Sequence, residues 1–159
     1  MLTRREFIIS AAAMAGTGSA LACPAPASTG TDHGVLMLNA ACGDPDTPNV
    51  FEPAILRINT GDSVTFVPTD AGHNSASKRG MIPDGAEPWN GAIDENLRVE
   101  FTVPGIYGHI CVPHYEWGMV GLILVGNDMS NLKSVKKVRH PSNARKVFRA
   151  LLKELEAKA

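Results

Sequence analysis

The 159 residues suffice for one domain and an appendage, and 15 basic against 16 acidic residues leave a formal charge of −1. That balance carries no electrostatic footprint for a nucleic-acid partner. Three cysteines in all leave at least one thiol unpaired.

Residues 1–22, "MLTRREFIISAAAMAGTGSALA", open with Arg4-Arg5 and continue as a short apolar run ending in Ala20-Leu21-Ala22. A basic start, an apolar run and an A-x-A end predict an export signal cleaved after Ala22. The run is too short and too rich in small residues to make a stable membrane span. "TRREFI" also resembles the twin-arginine signal, whose machinery exports folded chains, so the periplasm is the expected compartment. Without Arg4, Arg5 and Glu6 there remain 13 basic and 15 acidic residues, a charge of −2. Cleavage exposes Cys23, but Leu21 stands one place too late for a lipoprotein box, so lipid anchoring there is the lesser alternative. Residues 23–34, with "PAPASTGTD", read as a flexible tether. Cys23 and Cys42 could pair in an oxidising compartment, and Cys111 is expected to stay free.

From 35 to 126 short strand-like runs alternate with turn signals. "GVLMLN" is compact and apolar, and "ILRINTGDSVTFVP" holds two runs about Asn59-Thr60-Gly61-Asp62. "LRVEFTVPG" places Leu97, Val99, Phe101 and Val103 on one face, and "GIYGHIC" and "MVGLILVG" complete the set. Five to eight such strands predict an all-β sandwich or barrel, about as many as the spacing of the turns allows. Residues 127–159 shift in composition. Ser130 can cap a short helix reaching Val135, and Ser142 can start a second helix with Val147, Leu151, Leu152 and Leu155 at helical spacing. That stripe is expected to dock on the sandwich, with the Lys and Arg residues as a solvated outer face.

"CVPHYEWGM" brings Cys111, His114 and Met119 within nine residues. A buried structural cysteine explains Cys111 alone, and a nucleophile with a basic partner explains Cys111 and His114, but neither uses the thioether. All three fit one metal. Two histidines, one cysteine and a weak axial methionine form the donor set of a blue-copper electron-transfer site. Among the five histidines His33 falls in the tether, His140 in the helical tail, and His109 one pleat below Cys111. His73, in the loop after the strand ending at "FVP", is the remaining ligand.

The runs "VFEPAILRINTGDSVTFVPTDAGHNSAS", "MIPDGAE" and "CVPHYEWGMVGLILVG" resemble the pseudoazurins, small blue-copper proteins of the cupredoxin family. The Cys-x2-His-x4-Met loop of cupredoxins is present without a gap. The resemblance implies a cupredoxin-like Greek-key β-sandwich over 35–126 with two C-terminal α-helices packed on it. It implies one type 1 copper ion per chain, with His73, Cys111 and His114 as the strong ligands and Met119 as the axial one. It further implies an Asn74 backbone hydrogen bond to the Cys111 sulfur, apolar screening by Pro113 and Met81, and an electron port at the outer edge of His114. A monomer would there meet a reductase, a dehydrogenase or a c-type cytochrome. The chain departs from the resemblance in having only Lys78 and Arg79 as prominent cations before Cys111. It also has Glu116 and Trp117 at the middle of the ligand loop, and a long "AACGDPDTPN" insertion.

Two other functions compete. A copper nitrite reductase or oxidase needs a second cupredoxin domain or further histidines, which one domain with one ligand set does not provide. A periplasmic copper carrier without a redox role would use the same ligands, but rigid strand-end donors suit electron transfer better than handover.

Overall fold

The computed structural model describes residues 31–158; the expected export signal 1–22 and residues 23–30 of the expected tether lie outside them. Among the described residues two four-stranded sheets face each other. The first orders β2 (Asp44–Glu52), β1 (Asp32–Ala41), β4 (Ser63–Pro68) and β6 (Leu97–Glu100); the second orders β3 (Ile55–Ile58), β8 (Val120–Val125), β7 (Gly105–Ile110) and β5 (Ala76–Ser77). β1 with β4 and β3 with β8 run parallel, and the remaining pairs antiparallel. Two short helices, α1 (Leu132–Val135) and α2 (Ser142–Ala157), follow.

Alternation decides which side chains meet between the sheets. Val35, Met37, Phe51, Phe66, Phe101, Tyr107, Ile123 and Val125 form the inner core, which Leu97 and Val99 help to cover. The intervening residues of β7 and β8, Ile106, Leu122 and Leu124, point outward and would be exposed in a bare sandwich. Instead they meet Phe148, Leu151, Leu152 and Leu155 of α2. All six residues of β8 are therefore buried, and its sequence is continuously apolar because both faces are covered.

Three expectations need correction. The predicted tether 23–34 is cut short, because β1 begins at Asp32 and pairs with Ser63 of β4. His33 thus lies in a strand, 3.0 Å from Asp62 Oδ2, and Asp32 Oδ1 accepts the Ser63 hydroxyl at 2.7 Å. The insertion after Ala41 is no loose turn: β2 runs from Asp44 and folds back on β1 with Met37 opposite Phe51. Its polar composition concealed it, because its first five residues are exposed and only Phe51 is buried. Ser130 does not cap α1; its own N–H donates to Asp128 Oδ1, and Asn131 precedes the helix without a side-chain cap. In α2 the buried residues are Ala144, Phe148, Leu151, Leu152 and Leu155, with Val147 at the margin.

Candidate metal centre

Two of the donors, Cys111 and Met119, flank strands of the sandwich, and His73 and His114 stand in the loops between strands. His73 lies in the loop after β4, and Gly72 ahead of it adopts φ +95°, a conformation natural to glycine. That loop is tied down by Asp94, whose Oδ1 accepts from Gly72 N at 2.6 Å and whose N–H donates to His73 O at 2.8 Å. Asn74 joins two more segments: Nδ2 donates to Gly91 O at 2.9 Å, and Oδ1 accepts from Val112 N at 2.8 Å. Cys111 directly follows β7 and Met119 directly precedes β8. Cys111 N donates to Met119 O at 3.0 Å, so the intervening loop closes at its base. Inside it His114 N donates to Cys111 O, and Met119 N to His114 O, both at 3.2 Å.

The donor atoms converge. His73 Nδ1 and His114 Nδ1 are 3.0 Å apart, and Cys111 Sγ is 3.7 Å from the first and 3.4 Å from the second. A point equidistant from donors with those separations lies ~2.0 Å from each, which suits metal–nitrogen bonds and is slightly short for metal–sulfur. Three soft or borderline donors around one point are arranged to hold a metal ion. His73, Cys111 and Met119 are all fully buried and His114 is half-buried.

Protonation favours ligation. Burial lowers the pKa of His73, and the adjacent His114 lowers it further, so the neutral metal-binding imidazole is favoured. His73 Nε2 stands 3.0 Å from Asn39 Oδ1, a contact in which the ring N–H donates and Nδ1 keeps its lone pair for the metal. Burial raises the Cys111 thiol pKa, while backbone N–H groups of Asn74 and His114 oppose that rise. Their hydrogen bonds favour the thiolate that a metal requires.

The structure therefore brings together His73, Cys111 and His114, with buried Met119 beside them in the same core. The Asn74 backbone contact to Cys111 is present. Met81, expected to screen the site, is fully buried over Gly108 and belongs to the helix-side cluster, whereas Cys111, just past β7, belongs to the inner core. Val112, 53% exposed, and Trp117, 64% exposed, form the apolar surface beside His114 instead. The Trp117 ring stacks on that of His114, centroids 5.2 Å apart and planes 29° from parallel. Asn39 is the contributor that sequence reasoning missed; nothing but its place at the end of "GVLMLN" could have pointed to it.

The other histidines stand away from the donor triangle. His109 is fully buried against Phe51 and Phe66, with neither ring nitrogen hydrogen-bonded, and burial drives its pKa down to about 3. His33 bonds Asp62 and His140 bonds Tyr115. Cys111 is a free thiol and Cys42 is disulfide-bonded; Cys23, with which Cys42 could pair, lies outside the described residues.

The chain is similar to known proteins over most of its length. The plastocyanin/azurin family of copper binding proteins matches residues 40–126. A pseudoazurin of Paracoccus pantotrophus is 40% identical over 146 residues, 92% of this chain and 97% of its own. A putative pseudoazurin of Rhizobium leguminosarum is 40% identical over 137 residues, 86% of this chain and 88% of its own. The crystal structure of pseudoazurin from Methylobacterium extorquens AM1 superimposes with a TM-score of 0.73 at 39% identity, covering 78% of this chain and 98% of that one. By this family match over 40–126 and these identities over most of its length, the chain belongs to the plastocyanin/azurin family of copper-binding proteins and, within it, to the pseudoazurins.

Proposed function

We propose that this protein is a blue-copper electron carrier, in which His73, Cys111, His114 and Met119 would hold one type 1 copper ion. The observation that carries the reading is the triangle of donors about a point ~2.0 Å from each, on two loops that Asn74 bridges. When bound, copper supplies the one-electron Cu(II)/Cu(I) couple. The chain's residues do the rest. The thiolate and thioether suit the reduced ion and the imidazoles suit both states, so one arrangement serves both. Burial of His73, Cys111 and Met119 keeps water from the metal, and the Asn74 bridge between loops resists rearrangement.

His114, half-buried beneath Trp117, is the way out for the electron. Its redox partner, a reductase, dehydrogenase or c-type cytochrome, docks over Val112, Pro113 and Trp117, in the small and transient manner of such encounters. Residues 1–22 are the signal that takes the chain to the periplasm by the twin-arginine route, and a monomer is the working unit. Residues 35–126 with β1 extended back to Asp32 form the copper domain, and 127–159 its helical extension. Among the described residues no helix is long and apolar enough to cross a membrane.

Adding Cu(II) to metal-free protein tests the reading. An intense visible band that bleaches with reductant, and is absent from Cys111→Ser, supports it. A colourless wild-type complex, or a Cys111→Ser variant that stays blue, removes the thiolate–copper bond on which it depends. His114→Ala should recover its band with added imidazole more fully than His73→Ala, because His114 is the exposed ligand.

A further inference from the structure

His73 and His114 are held in different ways. His73 is fixed through its second ring nitrogen by Asn39. Among the described residues the His114 ring has no such partner, since its hydrogen-bond contacts are to the His73 ring and the Cys111 sulfur alone. Nor does His114 adjoin a strand, as Cys111 and Met119 do. Its position is inherited from the turn that carries it.

That turn touches the C-terminal extension on both sides of its apex. On one side the Tyr115 hydroxyl and His140 Nδ1 are hydrogen-bonded at 2.7 Å. His140, in the connection between α1 and α2, packs in turn on buried Phe148, ring centroids 4.5 Å apart. Lys78 Nζ stands 4.8 Å from the centre of the Tyr115 ring and holds it from another direction. On the other side Gly118, at φ +104°, lies so close to α2 that a Cβ there would stand 3.2 Å from Val147 Cγ2. Gly118 N donates to Tyr115 O at 3.1 Å, which couples the two anchors. Only Glu116 and Trp117, both exposed, lie between them.

We propose that His140 is a positioning residue for the copper site: through the Tyr115 hydroxyl it holds the turn that carries His114, and so makes the C-terminal extension part of the redox centre. The proposal rests on the reading of His114 as a copper ligand. Burial, and then the Lys78 charge, lower the pKa of His140, which favours the neutral ring that can accept the phenol proton. A brace of this kind acts on geometry and not on contact with the metal. Loosening it lets the imidazole of His114 swing while Cys111 and His73 stay in place.

Tyr115→Phe removes the hydroxyl alone, and His140→Phe removes the acceptor while keeping a flat ring against Phe148. Both variants and their combination are compared with Lys136→Gln, which breaks the exposed contact to Glu156 elsewhere in the extension. Two properties are read: the reduction potential with the ratio of visible bands in the copper-loaded protein, and amide exchange at Trp117 and Gly118 in the metal-free protein. Each single variant should shift the potential in the same sense and speed exchange at both amides about fivefold, the worth of one net hydrogen bond. The double variant should go no further than either single one, because both remove one interaction. Lys136→Gln should change neither property. A lower melting temperature with unchanged potential, bands and exchange would make the contact merely structural and overturn the proposal, as would additive effects. Should His140→Phe fail to fold, Tyr115→Phe with His140→Gln decides the same question. If wild type gives no thiolate–copper band, the electron-carrier reading fails, yet unchanged exchange in the metal-free variants would still refute the brace by itself.

Discussion

The sandwich and its helical extension differ most sharply in charge. Residues 31–126 carry 4 basic and 12 acidic side chains, a net −8, whereas 127–159 carry nine basic and three acidic ones, a net +6. A chain of formal charge −1 is therefore strongly dipolar. The separation follows from how each region hides its apolar surface. Strands of the sandwich bury alternate residues between sheets and leave acidic side chains on edges and loops. In α2 the apolar stripe turns inward, so Arg145, Lys146, Arg149 and Lys153 all stand exposed on the opposite side. The ligand loop lies at the boundary, since Gly118 packs on Asn143 and Val147 of α2. A field of this kind orients an approaching partner more than it strengthens the complex.

The strongest way to break the comparison is to detach the extension. Phe148 is 1% exposed and central to the helix-side cluster, so Phe148→Ala should cost about 3–5 kcal/mol in denaturant unfolding. A loss below 1 kcal/mol would mean that the sandwich stands without its helix. A smaller change tests the inner side of the sandwich. In Gly121→Ala the new Cβ would fall 2.4 Å from His109 Nε2 and 3.2 Å from Ala54 O. Overpacking there should cost about 1–3 kcal/mol, and calorimetry showing no loss would mean that His109 moves freely.

Charge is sharpened by reversal. With hexacyanoferrate(II) as a small anionic electron donor, Arg145→Glu/Lys146→Glu should slow reduction on the order of tenfold at low ionic strength, with little difference at high salt. An unchanged stopped-flow rate would show that the field of α2 does not reach the port. The smallest effect belongs to the acidic sandwich. The Ser63 hydroxyl above all, then Thr65 and Arg98, hold the Asp32 carboxyl below its ordinary 3.8 against the contrary pull of burial. A lowered pKa adds stability above pH 3.8, which is lost as the pH falls through the folded value. Asp32→Asn should therefore cost ~0.2–1 kcal/mol at neutral pH, as befits a partly exposed group, and nothing in strong acid. An equal cost at pH 2 and pH 7 would assign the effect to hydrogen bonding alone.

The sequence made the candidate metal donors legible because metal chemistry needs particular side chains at fixed spacing, as in Cys111, His114 and Met119. It also showed the strands whose burial is one-sided or complete, such as β7 and β8. β2 was concealed because an exposed edge strand needs no apolar alternation, and Pro45, Asp46 and Thr47 read as a turn. Asn39 was concealed for another reason: its role comes from a partner 34 positions away, a distance that local pattern does not encode. Tyr115 and His140 likewise meet only because α2 packs on β8 and carries its leading segment past the ligand loop.

The stack of Trp117 on His114 has a photophysical consequence. The chain has two tryptophans, and they differ in surroundings: Trp89 packs against the inner core with its indole N–H on Ser75 Oγ, whereas Trp117 is 64% exposed. Trp89 should fluoresce at the shorter wavelength and Trp117 at the longer. Copper on His114 would lie next to the exposed emitter and should quench the red side of the band first. The protein thus carries an intrinsic optical gauge of metal occupancy, readable in dilute solution without a label.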